Sequence, residues 1–121
     1  SIVCRGEMRQ NVLDKSSITQ KDYIDIITQK TAELFAASCL LGAAISGANE
    51  KECEKFRNFG LNFGIAFQIT DDLLDRAEVD ISMTQAHKYS QAAIQALADV
   101  QESAAKKSLV KLAEYIVSRK S

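Results

Sequence analysis

The sequence contains no proline and only five glycines among its 121 residues. Proline breaks helices and glycine weakens them, so their scarcity favours long uninterrupted helices. The apolar residues recur with helical spacing, and the sequence shows no alternating strand pattern, internal repeat or low-complexity segment. We therefore expect a single all-α domain over residues 1–121, built from about five helices.

Net charge and histidine are also scarce. A formal charge of −1 gives no electrostatic reason to expect binding to nucleic acid. His87 is the only histidine, and one imidazole cannot form a zinc site alone. The three cysteines match no metal-binding spacing, so we interpret them as reduced thiols and expect a cytoplasmic protein.

No apolar run is long enough to cross a membrane. The longest uncharged stretch, residues 34–49, is shorter than the roughly 20 residues that a membrane span needs. It is rich in alanine, serine and glycine, which is typical of a helix packed tightly inside a protein. We expect no transmembrane segment.

One face of a helix over residues 59–75 carries an unusual polar line. Its residues recur at spacings of three and four, which places them along one side of the helix: Gly60, Gly64, Gln68, Asp71 and Asp75. Asp72 lies one step round from this line. The face therefore contains two glycines and ends in three carboxylates.

The carboxylates occupy an unfavourable place, because the end of a helix already carries partial negative charge. Each acid there costs about 0.3–1 kcal/mol. The like charges of Asp71 and Asp75 add a few tenths of a kcal/mol, and Arg76 is the one cation close to them in sequence. A bound divalent cation would turn this cost into a gain, and oxygen ligands suit Mg²⁺. The alternative is a solvated acidic helix end, and spacing alone does not choose between the two.

A lysine interrupts the apolar stripe of the preceding helix, which is predicted from Thr19 to about Ser46. The stripe comprises Tyr23, Ile27, Leu34, Ala37 and Leu41, and Lys30 lies within it. Such a lysine must extend its stem towards solvent or meet an anion. Extension towards solvent is the commoner outcome, and this helix alone favours it.

Four segments, in the same order, resemble motifs of the trans-polyprenyl diphosphate synthases. Residues 64–75 are similar to the family's second aspartate-rich motif, F-Q-x-x-D-D-x-x-D, and residues 30–35 to its lysine-threonine motif. Residues 5–10 resemble its G-E-x-x-Q segment, and the ending around Arg119 is also similar. The resemblance covers essentially the whole chain and is to long-chain members, of octaprenyl, solanesyl or heptaprenyl type. It implies an isoprenoid-synthase helical bundle.

The resemblance implies a prenyltransferase that uses Mg²⁺ to ionise an allylic diphosphate. The carbocation is then captured by isopentenyl diphosphate, which lengthens the chain by five carbons. Carried over to this sequence, Asp71 would hold Mg²⁺ directly. Asp72 and Asp75 would support the ion or its waters.

The same resemblance assigns residues to the substrate. Lys30 would contact the allylic diphosphate, which is the anion that its place in an apolar stripe requires. Thr31 and Gln68 would line the site close to the reacting carbons. Glu7 and Gln10 would face the same cavity.

Only the C-terminal part of such an enzyme is represented. The family's first aspartate-rich motif, the arginines after it and the residues that bind isopentenyl diphosphate are absent, and an interior block is missing near residues 80–82. Residues 1–14 have helical periodicity without a capping signal before them, and are predicted to be the tail of a longer helix. We therefore expect a fragment that does not catalyse elongation alone, and that forms a homodimer or packs against the missing part.

Two other functions stay open. The chain could be a small non-catalytic partner that modulates a full-length synthase, although a pure modulator has no need of the three carboxylates. It could also be part of a terpene cyclase of similar fold. The paired lysine-threonine and phenylalanine-glutamine motifs fit the chain-elongating enzymes better.

Overall fold

A computed structural model of the chain describes residues 19–75 and 81–119. These ranges contain helices and no strand, which confirms the all-α class. The elements are α1 (Gln20–Ile27), a π-helical segment (Thr28–Ala32), α2 (Glu33–Ile45), α3 (Glu50–Leu74), α4 (Met83–Ala96) and α5 (Ala104–Ser118). The predicted helix over residues 1–14 lies outside the described ranges. None of the described helices combines the length and the apolar character needed to cross a bilayer.

Polar side chains fix the starts of three helices. Thr19, Asn49 and Ser103 each accept a hydrogen bond from a backbone N–H in the first turn of α1, α3 and α5. At α3 the arrangement is reciprocal, because Asn49 and Glu52 bond each other's backbone at 2.8 and 3.2 Å. Gly47, at a φ of 91°, lies between α2 and α3, where the left-handed conformation favours glycine.

Helix α3 is the centre of the bundle and packs against α2 on one side and α4 on the other. Its buried aromatic residues Phe59 and Phe63 stack at 5.7 Å, and Phe35 of α2 meets Phe63 edge-on at 5.4 Å. Burial of each such side chain stabilises the fold by about 1.5–3 kcal/mol. Leu97, just after α4, and Ile116 of α5 complete the same core.

Two glycines allow α3 to approach the preceding helical segment at backbone distance. A Cβ atom on Gly60 would lie 2.5 Å from the carbonyl oxygen of Phe35, and one on Gly64 would lie 2.8 Å from Cα of Ala32. Both distances are too short for any side chain. The glycines of the polar line therefore contact a neighbouring helix, and their small size allows this close approach.

The π-helical segment, which the sequence did not reveal, changes the face that α2 buries. Tyr23 and Ile27 are buried as predicted, but beyond the segment Leu34 is 60% exposed and Leu41 59% exposed. Ala36 is buried instead. A π turn holds an extra residue, so it rotates the following helix relative to a regular α-helical pattern. The predicted stripe is therefore correct before the segment and wrong after it.

A buried lysine joins the last two helices. Lys106 of α5 is 7% exposed, and its ammonium donates to the carbonyl oxygen of Val100 at 2.7 Å. It also pairs with Glu102 at 2.7 Å. The cation thus satisfies backbone oxygens in the turn after α4, while Ser90 of α4 donates to the carbonyl oxygen of Ala113 across the interface at 2.8 Å.

The close approach of α3 can be tested with two glycine variants. Gly60→Ala should lower the free energy of unfolding by about 1–3 kcal/mol, because the added methyl group overlaps backbone that cannot move independently. Gly42→Ala is the matched control, since a Cβ atom there meets nothing within 4 Å. It should stabilise the protein by about 0.5–1 kcal/mol. Urea denaturation followed by circular dichroism measures both, and a Gly60→Ala variant as stable as wild type would contradict the packing.

Candidate active site

Five of the predicted site residues lie where the end of α3 packs beside the π-helical segment. Gln68, Asp71 and Asp72 are half-buried in the last two turns of α3. Lys30 and Thr31 are half-buried in the π segment, which packs against α3 next to Gly64. Departures from regular helix of this kind occur frequently at functional sites.

A chain of hydrogen bonds joins the two motifs. The hydroxyl of Thr31 donates to Oε1 of Gln68 at 3.2 Å. The amide of Gln68 donates in turn to Oδ1 of Asp72 at 2.9 Å. Gln68 therefore uses both ends of its amide to connect the lysine-threonine segment with the acidic end of α3.

Tyr23 of α1 occupies the other oxygen of the same carboxylate. Its hydroxyl donates a short hydrogen bond to Oδ2 of Asp72. Burial raises the pKa of Tyr23, and the hydrogen bond to Asp72 and the charges of Asp72 and Asp71 raise it further. Asp72 is therefore held on both oxygens by neutral donors from two different elements.

Arg119 contributes positive charge to the acidic end of α3. It follows α5, and its Nη2 lies 3.6 Å from Oδ1 of Asp71. Its guanidinium carbon lies 4.9 Å from the ring centroid of Phe67, within the range of a cation–π contact. Its positive charge offsets part of the free-energy cost of placing acids at the end of a helix. In the sequence the nearby cation is Arg76, which lies outside the described residues.

Two further predicted residues, Lys30 and Asp75, are located by the elements that contain them. Lys30 directly precedes Thr31 in the π segment. Asp75 is exposed at the C-cap of α3, one turn beyond Asp71, whose carbonyl oxygen accepts a hydrogen bond from its backbone N–H at 3.0 Å. Glu7 and Gln10 lie outside the described residues.

The acidic end of α3 offers carboxylates to a metal ion but does not enclose one. Within residues 19–75 and 81–119, no three His, Cys, Asp or Glu side chains converge closely enough to enclose a metal ion. Mg²⁺ is usually held by one or two carboxylates, with waters and substrate phosphates completing its coordination. Asp71 and Asp75 lie one turn apart on one helix face, so they fit an ion shared with a phosphate ligand.

Sequence reasoning missed Tyr23 and Arg119 as site residues. The helical pattern puts Tyr23 in an apolar stripe. A buried tyrosine hydroxyl usually needs a hydrogen-bond partner, so its presence there was a signal of a polar contact. Arg119 was noticed only in the family-like ending. It reaches Asp71, 48 positions earlier, only because α5 folds back beside α3.

An all-α bundle that brings a lysine-threonine segment beside a glutamine and an acidic helix end has the architecture of the isoprenoid synthases. A sequence model described as polyprenyl synthetase matches residues 1–114. The chain belongs to the polyprenyl synthetase family, as its motifs indicate.

Individual relatives agree with this assignment. The chain is 49% identical over 61 residues to the geranylgeranyl diphosphate synthase of Sulfolobus acidocaldarius, covering 50% of this chain and 18% of that protein. It is 48% identical over 75 residues to heptaprenyl diphosphate synthase component 2 of Geobacillus stearothermophilus, covering 60% and 23%. The matched segments thus span about a fifth of the length of these curated relatives.

A solved structure shares the fold over nearly all of the chain. The polyprenyl synthase of Caulobacter crescentus, complexed with calcium and isoprenyl diphosphate, superposes with a TM-score of 0.91 at 23% identity. The match covers 99% of this chain and 56% of that structure. At this identity the comparison establishes the isoprenoid-synthase fold, which confirms the expected architecture.

The Tyr23–Asp72 contact predicts a specific pH dependence of stability in metal-free buffer. The folded state keeps Tyr23 protonated to higher pH than the unfolded chain, whose tyrosines ionise near pH 10. The contribution of Tyr23 is therefore complete below about pH 10 and should fall above it by about 1.4 kcal/mol per pH unit. Urea denaturation between pH 8 and pH 11 measures this loss.

The control for this prediction is Tyr23→Phe. It should lower stability at neutral pH by about 1.5–3 kcal/mol, because Asp72 loses a charge-assisted hydrogen bond. Above pH 10 its stability should decline less steeply than that of wild type, since the titrating group is gone. Parallel declines in the two proteins would show that Tyr23 does not carry the effect.

Proposed function

We propose that the chain forms the C-terminal wall of the active site of a prenyl diphosphate synthase. The reaction joins an allylic diphosphate to isopentenyl diphosphate and releases inorganic diphosphate. The observation that carries the proposal is the hydrogen-bond chain from Thr31 through Gln68 to Asp72, which connects the two family motifs.

Each side chain has a role that follows from its position. Lys30 binds the diphosphate of the allylic substrate, because it is a half-buried cation directly before Thr31, which contacts Gln68 of α3. Thr31 and Gln68 line the cavity near the reacting carbons and hold each other by a hydrogen bond. Glu7 and Gln10 are assigned to substrate binding by their motif alone, since they lie outside the described residues. A fixed polar lining of this kind orients the substrate and needs no rearrangement during the reaction.

The carboxylates divide into two groups by their hydrogen bonds. Tyr23 and Gln68 hold Asp72 in one orientation, so it supports the site rather than ligating freely. Asp71 would hold the metal ion directly, and Asp75 would support the ion or its waters. Bound Mg²⁺ would supply positive charge that stabilises the departing diphosphate. The Caulobacter crescentus synthase, which has the same fold, was solved as a complex with calcium and isoprenyl diphosphate.

The site requires a second wall, and the exposed face of α2 supports packing against it. Leu34, Leu41 and Ile45 are 60%, 59% and 85% exposed, an unusual density of apolar surface on one helix. The chain covers 56% of the Caulobacter crescentus structure, so we assign this face to the N-terminal part of a synthase. Homodimerisation is the alternative.

The free thiols of Cys39 and Cys53 agree with a cytoplasmic setting.

A chimera tests the function. Residues 19–75 should replace the corresponding segment of the Sulfolobus acidocaldarius synthase without loss of elongation activity. In that chimera, Asp71→Asn should lower kcat by about 100-fold or more, because a carboxylate that positions the metal loses its charge. Glu54→Gln is the control, since Glu54 is an exposed acid on the same helix, paired only loosely with Arg57 at 3.7 Å.

Steady-state kinetics with an allylic diphosphate, isopentenyl diphosphate and Mg²⁺ provide the measurement. Equal losses in the two variants would show that Asp71 has no special role. An inactive but folded chimera, together with binding of the native chain to an intact synthase, would favour a non-catalytic modulator.

Lys30 is tested in the same chimera by its effect on the two substrates. Lys30→Ala should raise the KM for the allylic diphosphate by about tenfold, the value expected for losing one charge-assisted hydrogen bond. The KM for isopentenyl diphosphate should change much less. Equal increases in both constants would remove the assignment of Lys30 to the allylic substrate.

A further inference from the structure

Arg119 is held at a fixed place beside the acidic motif by two contacts of different kinds. Its guanidinium stacks on Phe67 at 4.9 Å, and its Nη2 lies 3.6 Å from Oδ1 of Asp71. The side chain is 22% exposed, compared with 43% for Asp71. The stacking contact therefore positions the cation, and the carboxylate lies at its edge.

The N–H donors of this guanidinium make few hydrogen bonds. Nε and Nη2 of Arg119 are buried, and neither has a hydrogen-bond partner among the described residues. At 3.6 Å, the contact with Asp71 is an ion pair without a hydrogen bond. Arginine usually binds a carboxylate through two parallel hydrogen bonds, so this pair is held by charge and can be displaced.

The position of the cation bears directly on metal binding. Asp71 is the residue proposed above as the direct ligand, and a divalent ion at its carboxylate would stand close to the guanidinium. Two cations at one carboxylate repel each other, and burial strengthens that repulsion by excluding water. Arg119 and a metal ion therefore compete for Asp71.

We propose that Arg119 is an internal counter-ion of the acidic motif, which occupies Asp71 in the metal-free state and is displaced from it by a divalent cation. The proposal rests on the metal site of the proposed function. Because linkage is reciprocal, metal binding weakens the attachment of the end of α5 to α3 by the same factor with which Arg119 weakens metal binding. Arg119 is thus a positioning residue that couples the C-terminal end of the chain to metal occupancy.

The test is Mn²⁺ binding to the 121-residue chain, measured by electron paramagnetic resonance. Mn²⁺ is the probe because carboxylate and water ligands suit it as they suit Mg²⁺. Arg119→Gln should increase the affinity by about two- to fivefold, the range expected from a partly exposed ion pair. The increase should shrink at high ionic strength, because salt screens the charge that is removed.

Two further variants separate charge from structure. Arg57→Gln is the matched control, since Arg57 Nη2 lies 3.7 Å from Glu33, and this pair is away from the acidic motif. It should leave the affinity for Mn²⁺ unchanged. Arg119→Lys keeps the charge, so its affinity should stay close to that of wild type. Thermal unfolding without metal should show a lower Tm for Arg119→Gln than for Arg119→Lys.

The outcomes distinguish this proposal from the function on which it rests. Equal affinity in wild type and Arg119→Gln, or weaker binding by the variant, would overturn the competition while leaving the metal site in place. If neither protein binds Mn²⁺ at millimolar concentration, with or without inorganic diphosphate, the metal site itself fails and the competition fails with it. Binding by Arg119→Gln that exceeds that of wild type, with Arg57→Gln unchanged, supports the proposal.

Discussion

The structure depends on the close approach of α3 to the π-helical segment and the first turn of α2. Gly60 and Gly64 remove two side chains from the contact, so the backbone of α3 lies directly against Ala32 and Phe35. A larger separation would place Thr31 beyond hydrogen-bonding distance of Gln68, because their oxygens are already 3.2 Å apart. The packing of the bundle and the geometry of the site therefore both depend on the absence of Cβ atoms at Gly60 and Gly64.

The acidic end of α3 is stabilised by contacts from α1, from its own helix and from the residue after α5. Tyr23 and Gln68 hold Asp72 through neutral donors, whereas Arg119 opposes the charge of Asp71. These contacts come from α1, from α3 and from the residue after α5. Three distant parts of the chain thus meet at one group of carboxylates, which concentrates polar interactions at the position proposed for substrate and metal.

Much of the fold follows from local signals. Thr19, Asn49 and Ser103 are good N-cap residues placed before apolar patterns, and each caps a helix in the structure. The prediction for α2 failed for a definite reason. Periodicity assumes a constant number of residues per turn, and the π-helical segment breaks that assumption, so Leu34 and Leu41 turned outward. No local pattern marks such a turn.

The sequence by itself determined the all-α class, the family and the line of residues from Gly60 to Asp75, because helical spacing and motif order are properties of neighbouring positions. It could not determine which side chains would meet the carboxylates. Tyr23 lies 49 positions before Asp72, and Arg119 is almost equally distant from Asp71 on the other side. Only tertiary structure decides such contacts, because they depend on how closely α1, α3 and α5 pack together and on the rotation that the π segment introduces.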